Sequence, residues 1–291
     1  RVSQTEQTIL GRQSTMNPTQ TRMNQSQKLM VFVLTMSLYG LATLFTELIP
    51  KFQVGLVEFS VEYFLFIPLV LAMLFDPLSA ALGAATGELV FSEIMLGQFG
   101  GLGELEKFIT VTLGVYLAGR LVRDPRDTRM VGLAAFLGTG AQLLMGTIVD
   151  ICKVQFAVED FEAVAGLPES VFATEGFAFL NDLLFSGIFF CLLPTLYLVP
   201  KLYGKIEPLL GMSPRTPETA APALSGKTLA GCAVAFVCAV AAEMLATSGL
   251  ELIDWEASWA ESGTSFAVGM IVAAALALAV LVVMKKKAEA K

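Results

Sequence analysis

The chain has 291 residues, 55% of them hydrophobic and 15% charged, with a formal net charge of −7 and no histidine. The apolar residues come in long blocks rather than in alternation, which excludes a disordered chain and marks an integral membrane protein. The lack of histidine removes His-based general-base catalysis, His-ligated metals and haem; no cofactor, no metal site and no nucleic-acid partner is expected.

Residues 1–28 are rich in Gln, Thr, Ser and Asn and have no apolar core of a signal peptide, so they read as a polar cytoplasmic tail. Candidate spans follow at about 29–49, 59–75, 78–98, 108–122, 130–152, 177–200, 228–249 and 265–284. Orientation comes from Lys and Arg, which short cytoplasmic loops retain. With the N-terminus inside, the outer side holds Lys51, Lys107 and Lys153, and the other 16 of the 19 basic residues fall inside. The expected topology is N-in, C-in. Cys152, Cys191, Cys232 and Cys238 lie in or beside the spans without metal-ligand spacing and read as packing residues.

The loop after the first span, "ELIPKFQVGLVEFSVEYF", sets Glu47, Glu58 and Glu62 beside several aromatics and has the makings of a lid. The third span, within "FDPLSAALGAATGELVFSE", carries Ser79, Gly83 and Gly87 at spacing four, a small-residue face that permits close helix approach. It also carries Glu88 near mid-depth and Glu93 a turn higher. A carboxylate at bilayer depth costs roughly 2.5–3.5 kcal/mol on insertion scales, which makes Glu88 a candidate ligand contact.

The fifth span shows a longer stripe at spacing four: Ala134, Gly138, Gln142, Gly146 and Asp150. The sixth enters from outside with Asn181 and Asp182 one to two turns below the surface. Polar side chains of three helices therefore converge on the outer half of the bundle. Structural readings stand beside these. Glu88 can be a protonated interhelical hydrogen-bonding group. Asp150 and Lys153 can be an ion pair at a helix end, Asp182 a favourable partner of a helix N-terminus, and Gln142 an interhelical fastener.

Residues 206–227, rich in Pro, Ser, Thr and Gly, form a cytoplasmic linker between a membrane domain at 29–205 and a two-helix hairpin with a basic tail at 228–291. The hairpin is uniformly Ala, Val and Leu rich and reads as an accessory. Trp255 and Trp259 between its helices read as an interfacial belt.

A first helix running into an irregular outer loop, followed by "FLFIPLVLAMLFDPLSAALGAATGEL" with Pro68, Ala72, Pro77 and Ala80 at matching intervals and Gly83 and Gly87 after them, resembles the substrate-binding S component of energy-coupling factor (ECF) transporters. The resemblance covers residues 29 to about 205. It implies an all-α, six-helix membrane domain, followed here by the two-helix hairpin. Such a domain captures a micronutrient, a vitamin or its precursor, in an outward-facing pocket. Glu58, Glu62, Glu88, Glu93, Gln142, Asp150, Asn181 and Asp182 are the candidate contacts. It also implies partners, a coupling membrane subunit that would dock on small residues such as Gly40, Ala42 and Gly83, and two ATPases. The chain itself has no G-x-x-x-x-G-K-S/T sequence.

Acidic outer loops from "VEDFEAVAGLPES" to "ELIDWEASWAES" suggest a cationic or amine-bearing substrate or merely a solvated surface. Two other classes compete: an accessory subunit of a larger membrane complex, and an intramembrane enzyme using Asp150 and Asp182. Neither aspartate sits in a catalytic motif, so no enzyme is expected.

Overall fold

The computed structural model describes residues 23–247, except 55–56, 60, 62, 98, 157–158, 162, 165 and 221–223. Helix α1 (Gln25–Leu48) opens on a capping box, Asn24 Oδ1 accepting from Gln27 N at 2.8 Å and Gln27 Oε1 from Asn24 N at 3.0 Å. Two short antiparallel strands follow, β1 (Phe52–Val54) and β2 (Val57–Phe59), with Gln53 opposite Glu58.

Helix α2 is Phe66–Leu74 and α3 is Pro77–Glu88, continuing as a π-helical stretch over Leu89–Ile94. The start of α3 is set locally. Asp76 Oδ2 accepts from Ser79 N at 2.9 Å and from Ser79 Oγ at 2.7 Å, and Pro77 occupies the first turn, where its missing N–H costs nothing. A single 3₁₀ turn at Gly101–Gly103 leads into α4 (Glu104–Leu121). Asp127 caps α5 (Thr128–Gln155) by accepting from Arg129 N at 3.1 Å and Met130 N at 3.3 Å. Helix α6 is Val171–Leu202, with a π-helical stretch over Leu183–Leu192, and α7 is Gly226–Thr247.

Four of these helices, α1, α5, α6 and α7, are long and apolar enough to cross a membrane. Their uncovered sides are apolar as lipid contact requires: Val33, Leu41 and Phe45 on α1, Leu133, Phe136 and Leu144 on α5, Leu184 and Phe189 on α6, and Val234 and Val237 on α7 are all exposed.

The second expected span, 59–75, is not a spanning helix. Its helical part, α2, has nine residues and so a length of about 13.5 Å at 1.5 Å per residue, less than half the roughly 30 Å of hydrocarbon. Residues Leu69 to Phe75 are at most 5% exposed. An apolar sequence with no polar face fits a helix surrounded on all sides, and α2 is that helix, packed among α1, α3, α4, α5 and α6. The fourth helix begins four residues earlier than the expected 108, which brings Glu104, Glu106 and Lys107 onto it. The expected eighth span, the tryptophan pair and most of the N-terminal tail lie outside the described residues.

Small residues let the backbones meet around α2. A Cβ on Gly87 would stand 3.0 Å from Gly40 N and closer still to the Met36 carbonyl oxygen. One on Gly40 would stand 2.8 Å from Gly87 O, and one on Gly83 would meet the Phe32 carbonyl oxygen. Gly40 and Gly83, expected to receive a partner subunit, are therefore occupied by the contact between α1 and α3; Ala42 is half-buried on α1.

At one end of the bundle, Gln27 Nε2 donates to Gly211 O at 2.9 Å, Arg126 lies 5.1 Å from the Tyr203 ring centre, and Arg215 Nη1 donates to the carbonyls of Ala72 at 3.1 Å and Met73 at 3.2 Å. We refer to it as the arginine end. The opposite end, carrying β1 and β2, is the hairpin end.

Candidate functional site: a polar cavity at the hairpin end

The stripe on α5 has two fates. Near the arginine end its small residues bring α4 into contact, since a Cβ on Gly138 would stand 2.8 Å from Gly114 O and one on Gly114 2.7 Å from Gln142 Cβ. Two turns further on, at Gly146, no atom lies within 4 Å of where a Cβ would be. The gap belongs to a cavity of about 460 Å³, within the range of small-molecule sites.

Four helices supply its polar lining. Helix α3 gives Glu88. Helix α4 gives Glu104, Glu106, Lys107 and Thr110. Helix α5 gives Gln142, Asp150 and Lys153, and α7 gives Glu243 and Thr247; Tyr63, from the segment after β2, adds an aromatic side chain. Five carboxylates therefore face two ammonium groups.

The lysines organise the acids. Lys107 Nζ lies 3.0 Å from Glu93 Oε1 and 3.6 Å from Glu104 Oε2. Glu104 Oε1 also accepts from Gly100 N at 3.1 Å, which ties the loop before α4 to the helix. Lys153 Nζ lies 2.8 Å from Asp150 Oδ1, 3.3 Å from Glu159 Oε2 and 3.9 Å from Glu243 Oε1. Glu88 Oε2 accepts from the Tyr39 hydroxyl at 3.3 Å. Glu106 Oε1 and Gln142 Oε1 are buried without a hydrogen-bond partner. Among the described residues no group of three Cys, Asp or Glu side chains is arranged to hold a metal ion.

Of the residues proposed from sequence, Glu88, Gln142 and Asp150 line the cavity. Glu93 stands behind it as the partner of Lys107, in a small crevice shared with Glu88 and Glu104. The π-helical stretch carries Glu93 there, its wider turn bringing residues five apart onto one side. Asn181 and Glu58 meet each other instead: Asn181 Nδ2 donates to the Glu58 carbonyl at 2.9 Å, and the Phe59 ring lies 4.9 Å from that of Phe185. The strand pair is thus fastened to α6. Asp182 closes the α-helical part of α6 outside the cavity lining. Glu62 lies outside the described residues.

Glu104, Glu106, Thr110, Tyr63, Glu243 and Thr247 were not anticipated. Glu243 had a legible signal, as the one charged residue in "TLAGCAVAFVCAVAAEMLAT", because an ionisable group inside an apolar helix is costly unless it has work to do. The reading of that segment as an accessory concealed it. Helix α7 forms one wall of the cavity.

A family of unknown function, DUF8171, matches residues 30–291. The chain belongs to this family. The match runs from the first turns of α1 through α7, so every element that lines the cavity falls within the DUF8171 region. No curated protein and no solved structure matches the chain.

Proposed function

We propose that this chain is a membrane-embedded binding subunit that captures a small polar molecule at the outer face of the cell membrane. The observation that carries the reading is the cavity itself, where polar groups of four helices meet inside a bundle whose outside is apolar. Buried polar groups within a membrane domain are expensive and mark ligand or ion sites. An N-in, C-in, multi-pass arrangement runs α1 outward and turns the hairpin end, with the cavity, to the outside, while Arg120, Arg123, Arg126 and Arg129 stay in the cytoplasm. Six helical segments before the 206–227 linker form the S-component-like body, and α7 completes the site. Uptake of the captured molecule, a micronutrient in the ECF-like reading, takes its energy from separate coupling and ATPase subunits, since the chain carries no P-loop.

Native mass spectrometry of the gently solubilised chain tests this. A small molecule should be released from the wild type, and Glu88→Gln and Gln142→Ala should lose most of it while eluting as the same folded species. A wild type that holds nothing and responds to no added ligand, or variants that hold as much as the wild type, would remove the binding role.

A further inference from the structure

Two buried oxygens of the cavity have no donor, while both of its lysines are already paired with acids. The donors on its charged and hydroxyl side chains are engaged. Lys107 is held by Glu93 and Glu104, and Lys153 by Asp150, Glu159 and Glu243. Thr110 Oγ1 donates to the Lys107 carbonyl at 3.1 Å, and Thr247 Oγ1 to the Glu243 carbonyl at 2.9 Å.

The Gln142 amide keeps N–H groups to give, but the unmet buried side-chain atoms on Gln142 and Glu106 are acceptors. Gln142 is 6% exposed, and its Oε1 has no partner. Glu106 Oε1 likewise has none, and Glu106 joins no ion pair among the described residues. Glu88 has a single long bond from Tyr39 at 3.3 Å. A buried carboxylate or amide oxygen without a donor loses its hydration and gains nothing in return. A ligand that donates several hydrogen bonds and carries positive charge reverses that loss.

We propose that the cavity takes an organic cation, a small molecule bearing a protonated amine, whose ammonium group is received by Glu106 and Gln142. This rests on the binding reading above and names the chemistry of what is bound. A bare metal ion fits poorly: the volume of about 460 Å³ is that of an organic molecule, and the carboxylates are not grouped as metal ligands. Tyr63 in the lining suits the same choice, since aromatic faces attract cations.

The test uses the full chain in detergent, with putrescine and tyramine as protonated amines, succinate as an anion and glycerol as a neutral control. A ligand that binds only the folded state raises the melting temperature in a concentration-dependent way. At least one amine should do so, and succinate and glycerol should not. Glu106→Gln keeps the shape and removes the charge, and should weaken the amine effect at least tenfold in concentration. Gln142→Met, which keeps the bulk and removes the acceptor, should weaken it at least threefold. Glu218→Gln, at an exposed position in the 206–227 linker, should leave it unchanged. An effect of succinate or glycerol exceeding that of both amines, no amine effect at all, or an amine effect undiminished in both cavity variants would overturn the assignment. A neutral or acidic molecule released from the wild type by native mass spectrometry would overturn the charge assignment alone. Release of nothing, together with no response to any probe, would overturn the binding reading as well.

Discussion

Glu243 Oε1 stands 3.9 Å from Lys153 Nζ, and so the seventh helix is tied electrostatically to the fifth in the wall of the cavity. The same ammonium lies 2.8 Å from Asp150 and 3.3 Å from Glu159, which makes it the centre of a three-acid cluster. Replacing Lys153 with Met leaves those acids to repel one another. The expected result is a lower melting temperature, partly restored by adding Glu243→Gln. Partly exposed pairs of this kind are typically coupled by about 0.2–1 kcal/mol. A double-mutant cycle on thermal unfolding in detergent measures the coupling, and strict additivity would show that the ion pair does not hold α7 in place.

Two glycines predict opposite outcomes for the same substitution. At Gly87 a methyl group would press on the Gly40 nitrogen at 3.0 Å and on the Met36 carbonyl, both backbone atoms that cannot rotate away. Gly87→Ala should cost about 1–3 kcal/mol through overpacking, read as a lower melting temperature. Gly146→Ala meets nothing within 4 Å and should leave the melting temperature near that of the wild type. Gly146→Leu should fill the cavity and abolish ligand retention in a protein that still folds.

Arg215 predicts a stability effect far from the cavity. Arg215 is 7% exposed; its guanidinium donates to the carbonyls of Ala72 and Met73 near the end of the short core helix, and burial lowers its pKa to about 10. Arg215→Ala removes charged donors from two buried carbonyl groups and should lower stability by about 1.5–3 kcal/mol. Ligand binding at the other end should persist in whatever fraction remains folded. A neutral effect on thermal unfolding would mean that the 206–225 segment does not secure α2.

The proposed orientation is tested with impermeant maleimide on intact cells. A cysteine at Lys51 should label and one at Arg126 should not. The native Cys152, Cys191, Cys232 and Cys238 are all free, and buried Cys191 should stay unmodified until the protein is denatured. Labelling at Arg126 but not at Lys51 would turn the cavity toward the cytoplasm.

Much of the scaffold could be read from local chemistry. Asp76, Pro77 and Ser79 set the start of α3, one residue from the expected 78, because a cap acts within three residues. The α5 stripe from Ala134 to Asp150 is a periodicity carried by one helix. The errors lie where tertiary context decides. Phe64 to Phe75, the apolar part of the expected 59–75 span, reads the same whether it crosses a bilayer or lies as a short buried helix, and composition alone does not separate the two. Gly40 and Gly83 read as small residues offered to a neighbour, and sequence does not say whether that neighbour is another subunit or the adjacent helix. Glu88, Gln142 and Asp150 stand out in the sequence because each interrupts an apolar run, and all three line the cavity. Asn181 interrupts one too, yet its amide is taken up by the Glu58 carbonyl. Glu106 was missed because it sits in "GELEKF", where a charged cluster beside a span reads as ordinary surface.

The divided stripe on α5 separates the size of the cavity from the packing of the helices. Gly138 is fixed by a backbone it touches, whereas Gly146, two turns away, is bounded only by empty space. A single change at the second position resizes the chamber without disturbing the contact at the first. The chamber can therefore be reshaped at position 146, one methyl or ring at a time, while the helix crossing at Gly138 stays as it is.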